Sequence, residues 1–581
     1  MSNEEVKEEA QAEAPPPMPV GISDEAFGEL EAIVGPENAS RDPVMCQAYT
    51  GRGYGREVYW YAGLSTRPAA IVLPENTTEI QRIVKTCNRH NIPFCVGGAF
   101  WLVASSPRVM QNAIVIDTKR ATRLWIDEKN MYAVVEGAPI MAQLSAECYK
   151  RDLYHMVPGG GGQCAVIGNF HVQGQGIFNY RMNPWTERRC NGLEWVTPEG
   201  ELVTMGSLQN GDESAFIGGD PGPELVGLVK GEICWWGCLG VTTKVALKVY
   251  PFQPEGFVPE GVGTQAVVAM PPRLRYQNYT LPTEEDLVEA MAKLSREQIC
   301  CAMNRVPAFW RAIAKAKGRQ AFWDEWNKTT VEDVENLHIL RVLFCGYTSQ
   351  KQLEYEMQVA EDIVVNEHGG TARRTRQTDE GTFLYANVTG MWSITGFYAS
   401  ATVGSESPRN TLAVCYDLRD RIEQEPFKSI YVPEYHDRPW YSPFDFRRVM
   451  YHEFMQYPDC DKVDPADPKF VPEHFGANVM WIESVAIAAQ MKTGWASLFG
   501  NGILNSAYEW GPTKQNYHIW RDKVHDEFDP KNLANPPSLG LIDAVLNAPG
   551  NEALLTEEYK QVRDKVAAMA WKDAELADVG L

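Results

Sequence analysis

The stretch that most constrains this chain is Met156–Gly176, MVPGGGGQCAVIGNFHVQGQG, where seven glycines fall among Val, Ile, Phe and His. A flexible linker of that glycine content is filled with serine and is poor in large apolar groups. Here the apolar residues call for burial. The glycines call for a backbone folded closely against something, because a residue without Cβ allows approaches that others forbid. Taken alone, such a cluster is most simply a set of tight turns. Two other glycine segments flank it in order, Gly97–Gly98 after the apolar run Ile92–Val96, and WWGCLGVTTK at 235–244. A dinucleotide needs backbone N–H groups near its pyrophosphate, and the ordered set offers them. No GxGxxG stands between a strand and a helix, and no Walker lysine is present, so the two best-known phosphate loops are excluded.

Around the glycines the chain reads as alternating strands and helices. Ala69–Leu73, Ile92–Val96, Ala113–Asp117 and Tyr132–Glu136 are short apolar runs of strand length. Asn76 with Glu79 three residues later forms a helix start signal, and Ile80, Ile83, Val84 and Cys87 continue at helical spacing to about Asn91. Pro139 is expected to begin a helix running to about Arg151. Leu193–Thr197 and Glu201–Met205 flank a Pro198–Glu199–Gly200 turn as a hairpin, and Thr242–Tyr250 is one more strand. The pattern then restarts: Gln265–Met270, Cys300–Val306, His338–Tyr347 and Thr371–Thr375 are strand-like, Glu284–Arg296 and Lys351–His368 helical. Two β-α-β units of this kind predict a ferredoxin-like layer, with helices on one face of an antiparallel sheet. From about Arg409 to Trp510 the chain is aromatic-rich and reads as irregular, while 552–581 reads as helical.

Net charge narrows the partners. Lys and Arg number 54 against 76 Asp and Glu, a balance of −22 that repels phosphate backbones and argues against nucleic acid. No window of eighteen apolar residues occurs, so no membrane span is expected. Met1–Met18 is rich in Glu, Ala and Pro and lacks the basic and apolar regions of a secretion signal, which predicts a disordered acidic tail and a cytoplasmic protein. Thirteen cysteines are scattered, and neither Cys234/Cys238 nor Cys300–Cys301 has the paired spacing of a zinc or iron–sulfur site. No metal is expected.

Five segments, in order, carry a family resemblance: RPAAIVLPENTTEIQRIVKTCNRHNIPFCVGG, SPRVMQNAIVIDTKR, NGLEWVTPEGELVTMG, GCLGVTTKVALKVYP and FDPKNLANP. The chain resembles the vanillyl-alcohol oxidase and 4-cresol methylhydroxylase flavoproteins, whose FAD-binding domain is termed PCMH-type. The resemblance covers roughly 30–250 and returns near 500–540. It implies an α+β chain: a disordered tail at 1–22, a two-subdomain FAD-binding domain at 23–252 and a ferredoxin-like cap at 253–505. A return to the FAD domain at 506–545 and a helical appendage at 546–581 complete the expected layout.

The resemblance also implies roles. Val96, Gly97, Gly98, Ala99, Phe100, Trp101, Leu102 and Val103 match the loop around the flavin pyrophosphate. Pro158, Gly159, Gly160, Gly161 and Gly162 would lie along the dinucleotide. Gly168 and Asn169 would sit by its phosphates and ribityl chain, Gly240 and Val241 would meet its adenine-side portion or hold it by main-chain bonds, and Asn535 belongs to a segment closing on the isoalloxazine edge. The loop GGAFWLVASS has no flavin-linking His, and no Tyr stands between Gly97 and Ala113 to deprotonate a phenol. FAD is therefore expected to be non-covalent, with His436 and His452 of the cap as alternative attachment points.

For chemistry near flavin N5, Glu187 is the carboxylate nearest the position where phenol-oxidising relatives carry an Asp. Arg188, beside Arg189, could orient a substrate carboxylate; a solvated loop of paired charges is the plainer reading. Tyr435, His436 and Arg438 are candidates for holding a substrate oxygen anion. Trp392, Phe397, Tyr398, Tyr431, Trp440 and Tyr441 would suit an aromatic substrate, and suit an ordinary core equally.

The expected activity is hydride transfer to flavin from an alcohol or benzylic carbon of a small, aromatic substrate. Electrons would go on to oxygen or to a separate acceptor protein, and the chain is expected to form a homo-oligomer. Two alternatives stand beside it: a 2-hydroxyacid dehydrogenase of lactate or glycolate type, and a flavin-bearing relay or assembly subunit.

Overall fold

The computed structural model describes residues 21–50, 66–100, 112–156, 161–171, 176, 190–206, 225–229, 239–252, 259–260, 267–316, 318–330, 337–379, 400–406, 408–425, 427–430, 440–444, 449–456, 512, 516–536, 557–570 and 572. Its N-terminal half contains two main sheets and a two-stranded pair. The first has four strands, β1 (Ala39–Ser40), β2 (Ala70–Val72), β3 (Phe94–Gly97) and β4 (Ile114–Asp117), in the order β1-β2-β4-β3. β2 and β3 both run parallel to β4. The crossover is the helix Thr77–His90. Asn76 caps it by accepting from the Glu79 N–H at 3.0 Å, and Ile80, Ile83, Val84 and Cys87 are its buried stripe. Glu79 does not close the box on Asn76: its carboxylate accepts from Glu75 N–H, one residue earlier. The helix ends at Asn91 in the left-handed conformation, where Asn is tolerated.

Further along the chain lie β5 (Leu124–Asp127), β6 (Tyr132–Val135), β7 (Leu153–Tyr154), β8 (Cys190–Val196), β9 (Leu202–Gly206), β10 (Val241–Lys248) and β11 (Tyr250–Pro251). The second sheet has the order β5-β6-β10-β8-β9 and is antiparallel throughout; β7 pairs with β11. The helix Met141–Tyr149 covers this sheet and starts two residues after Pro139, with the Ile140 N–H held by the Gln143 side chain. Gly240 leads into β10 with φ of +81°, and a Cβ there would lie 2.1 Å from Val196 O, so only glycine allows β8 and β10 to meet. The two sheets are tied by Glu194 of β8, which accepts from Thr77 of the first subdomain and Thr243 of the second.

The C-terminal half continues with β12 (Pro259–Glu260), β13 (Val267–Ala269), β14 (Leu274–Leu281), β15 (Ala302–Arg305), β16 (His338–Cys345), β17 (Thr371–Arg373), β18 (Thr378–Asp379), β19 (Ser400–Glu406), β20 (Trp440–Phe444) and β21 (Val449–Gln456). β12, β13 and β18 make a small sheet; the rest form seven strands ordered β17-β14-β16-β15-β20-β21-β19, each antiparallel to its neighbours. The first four reproduce the order of a ferredoxin-like β-α-β-β-α-β unit. The stretch expected to be irregular from about Arg409 instead supplies the helix Pro408–Ile422 and strands β20 and β21, which with β19 extend that unit to seven strands. Near the C-terminus, Leu533–Asn535 runs beside β3, with Phe94 and Ala534 in a parallel bridge.

One face of the large sheet is covered by helices. Glu284, first residue of the Thr283-capped helix Glu284–Arg296, contacts Arg305, His338 and Tyr441 from above. Cys415 of Pro408–Ile422 lies close enough to act electrostatically on Tyr441, and Glu361 of Gln350–Glu361 on Tyr279. Register puts these partners on one face: Tyr279 opposes Leu340, Leu340 opposes Arg305, Arg305 opposes Tyr441, and Tyr441 opposes His452. The other face shares its core with the N-terminal half, including the helix Met141–Tyr149. One apolar core includes cap residues Leu274, Tyr276, Trp440 and Tyr451 together with Ala142, Tyr149, Tyr154 and Phe252 of the N-terminal half.

Candidate functional site

The parallel strands β3 and β4 end side by side at Gly97 and Asp117. In open sheets of this kind ligands bind beyond the carboxyl ends of the strands. The backbone is packed there to its limit. A Cβ on Gly98 would lie 2.8 Å from Gly137 O and 3.0 Å from the Ala165 methyl; one on Gly137 would lie 2.5 Å from Thr118 Oγ1. Thr118 in turn donates to Gly97 O at 3.2 Å. Three segments, 97–98, 118–137 and the glycine-rich run at Ala165, thus converge on one point. Below it, Tyr49 donates to Asp117 at 2.6 Å, and Lys119 bonds to both. Burial pulls the Lys119 amine down, but its bonds to Asp117 and Tyr49 outweigh that and hold it above its ordinary value.

Buried polar atoms near this junction also point to a ligand. The Gln163 amide nitrogen and oxygen lie against Gly161, whose φ is +106°, and make no hydrogen bond among the described residues. Both amide atoms of Asn191 on β8 and the Thr242 hydroxyl on β10 are in the same condition. Asn191 lies at the register shift between β8 and β10, and Thr242 is the cross-strand partner of Trp195. Buried polar groups are satisfied in folded proteins as a rule, and a bound polar group would satisfy these. A glycine-lined approach beside amides and hydroxyls fits a dinucleotide.

The expected cofactor residues divide as follows. Gly97 and Gly98 lie at the junction, as does Val96, whose N–H donates to the Asn535 side chain at 2.8 Å. Asn535 is thereby placed at the end of β3. Phe100, at φ +51°, turns its ring back over Gly97 to meet Tyr49 edge-on at 5.3 Å, inside a small cluster with Cys46, Ile71 and Val115. That ring packs the loop, leaving only the Phe100 backbone for a cofactor. Gly161 and Gly162 precede the helix Val166–His171 and Gly168 and Asn169 lie within it, while Gly240 and Val241 lie at the seam of the two sheets, Val241 in the core. Trp101, Leu102, Val103, Pro158, Gly159 and Gly160 fall outside the described residues. So do the expected catalytic residues Glu187, Arg188, Tyr435, His436 and Arg438. Gln163, Asn191 and Thr242 were missed because unpartnered amides and hydroxyls carry no sequence signature.

A second polar set lies on the open face of the cap sheet. Asn304 and Ser442 lie one residue along from the Arg305–Tyr441 pair and project the opposite way; Ser442 opposes Tyr451, and Trp440 opposes Glu453. All five are buried, and Asn304 Oδ1 has no hydrogen bond among the described residues. Tyr451 donates to Glu453 at 2.6 Å, while its ring stacks on Phe444 and meets Trp440 edge-on. Burial pushes Glu453 up to about 7, with the Tyr451 bond opposing. Further along the same face, the Arg341 guanidinium lies over the Tyr276 ring at 4.6 Å.

His452 takes the other side. It is fully buried on the helix-covered face, with no hydrogen bond at either ring nitrogen among the described residues, and burial lowers it to about 4. Tyr441, expected as a pocket aromatic, is also on that side and donates to Glu284. The alternation in VMYHEF, read at period two, separates Tyr451 and Glu453 from His452 and would have found the first pair.

Among the described residues no group of three metal-binding side chains occurs, and no helix is long and apolar enough to cross a membrane. Residues 68–206 match the family described as FAD binding domain. The chain is 24% identical over 239 residues to glycolate oxidase subunit GlcD of Bacillus subtilis, covering 40% of this chain and 46% of that one. It therefore spans less than half the length of this curated relative. The structure of 4-ethylphenol oxidase from Gulosibacter chungangensis is similar at a TM-score of 0.64 and 17% identity, covering 89% of this chain and 98% of that chain. That of p-cresol methylhydroxylase is similar at 0.62 and 16%, covering 88% and 96%. At these identities the structural likeness is one of fold.

Proposed function

Residues 68–206 form an FAD-binding domain within a PCMH-type α+β fold, and from that premise we propose that the chain is an FAD-dependent oxidoreductase acting on an alcohol or benzylic carbon of a small, aromatic substrate. The observation that carries the reading is the junction at Gly98, where glycine backbones from separate segments meet beside the unpartnered Gln163 amide. Gly97, Gly98, Gly161, Gly162 and Gln163 would hold the dinucleotide. Bound FAD supplies a two-electron acceptor. The cap's open face contributes Trp440, Tyr451 and Tyr276 as apolar walls with polar edges, which suits an aromatic substrate. Electrons then pass to oxygen or to a separate protein, and FAD is held without a covalent link.

A second reading, oxidation of a 2-hydroxyacid, is favoured by the likeness to a glycolate oxidase subunit and by Arg341 on the open face, a side chain suited to a carboxylate.

The test is direct. The purified protein should be yellow and bind FAD. Gly98→Ala, whose methyl would meet Gly137 O at 2.8 Å, should lose at least about tenfold in FAD affinity, about 1.4 kcal/mol. Anaerobic bleaching by aromatic alcohols, phenols or hydroxyacids then assigns the substrate class; bleaching by none favours a relay subunit. A colourless protein that cannot be reconstituted with FAD would sink the proposal.

A further inference from the structure

We propose that Glu453, hydrogen-bonded by Tyr451 on the open face of the cap sheet, is the base that takes the hydroxyl proton of an alcohol substrate. The inference rests on the functional reading above and goes beyond it by naming the proton acceptor.

Geometry carries it first. Of the two faces of the seven-stranded sheet, one is taken by the helices Glu284–Arg296, Gln350–Glu361 and Pro408–Ile422. The opposite face is the one left for the FAD half, and residues of both halves share a core. Glu453 is on that opposite face, as its cross-strand partner Trp440 and its neighbour Tyr451 show. A buried acid on a structural face is expected to be tied down on both oxygens. Among the described residues the Glu453 carboxylate receives one hydrogen bond, from Tyr451, and no ion pair. Such a group has accepting capacity left for a ligand.

The electrostatic surroundings fit the task. On β20 the residue opposite Glu453 is Trp440, and on β19 it is Val403; neither titrates. Tyr451 on its own strand is the one titratable described side chain found to act on it. No cation holds the carboxylate ionised, and burial pushes it up to about 7, near the optimum for proton transfer at physiological pH. Tyr451 is a positioning residue. Its ring is clamped between Phe444 and Trp440, so its hydroxyl fixes one carboxylate oxygen and leaves the other for substrate.

The step balances. The substrate O–H bond breaks and its proton goes to the Glu453 carboxylate. The adjacent C–H bond would break with its electron pair leaving as hydride, for which FAD held by the N-terminal half would be the acceptor, and the C=O bond would form. Glu453 later returns the proton to solvent.

The test uses the full-length FAD-loaded protein, with Glu453→Gln and Tyr451→Phe, and an alcohol that bleaches the wild type. The wild-type flavin reduction rate should rise with pH through about 7. Glu453→Gln should lower it at least about a hundredfold and flatten the profile, with the FAD absorbance retained. Tyr451→Phe should move the inflection to higher pH. A readout independent of turnover is the carboxyl band in pH-difference infrared spectra, which should titrate near neutrality in the wild type and vanish in Glu453→Gln. A yellow Glu453→Gln protein bleached at the wild-type rate with an unchanged profile overturns this inference and leaves the functional reading standing. A colourless wild type overturns the functional reading. A yellow wild type that no alcohol bleaches overturns this inference, and it overturns the functional reading as well where alkylphenols and hydroxyacids also fail to bleach it.

Discussion

Two glutamates are buried on opposite faces of one sheet, and their carboxyl groups are shifted in opposite directions. Burial alone would raise Glu284, but the Arg305 charge and bonds from His338 and Tyr441 outweigh it and bring the group to about 2. Glu453 is buried as fully and has Tyr451 alone to set against desolvation, so it rises to about 7. Depth does not separate them. Partners do: Arg305 lies 3.3 Å from one carboxylate and His338 2.6 Å, whereas no cation reaches the other among the described residues. A fully partnered carboxylate is part of the framework, and an under-partnered one is free to change its charge.

Removing the charge at Glu284 gives the largest expected effect. Glu284→Gln leaves Arg305 buried without its counter-charge and should cost about 3–5 kcal/mol, read as a lower unfolding midpoint of the cap. Acid acts in the same direction: because the folded carboxyl lies below its ordinary value of 4.5, its contribution is present above that pH and is lost as pH falls toward about 2. Glu453→Gln should have the opposite sign. The folded group lies above its ordinary value, so the wild type loses stability as pH rises from 4.5 through about 7. At about pH 8 the amide should therefore be more stable by about 3 kcal/mol, and at about pH 4 by nothing. Equal shifts at both pH values would break the comparison. Tyr451→Phe is the smallest, about 1 kcal/mol, and should raise Glu453 further.

The legible parts were those where local chemistry speaks for itself. Thr283 before an acidic first turn marks the helix Glu284–Arg296, and Asn76 with Ile80, Ile83, Val84 and Cys87 marks Thr77–His90, so the framework of both halves could be read. Strands β20 and β21 could not. A proline stands inside WYSPF, and VMYHEFMQ mixes His and Glu with apolar residues because both faces are used, one by helices and one for the polar set. Period two was present, but the eye goes to His452, a side chain pointing into the helix layer. Phe100 was illegible for another reason: nothing in GGAFW shows that its φ is positive and its ring turned inward. Orphaned amides such as Gln163 show only when the neighbours are in place.

The bond from Val96 to Asn535 joins positions 439 residues apart, and the Leu533–Asn535 segment supplies the outer neighbour of β3. A ribosome delivering the chain from its N-terminus must therefore finish the whole cap before the edge beside the glycine junction can be sealed. The seven-stranded sheet is contiguous in sequence, and its pairings can form while β3 still waits for its last partner. The N-terminal fold thus gains its last edge only after the cap has been made. Truncation just short of Leu533 should leave a well-formed cap attached to an unclosed nucleotide fold.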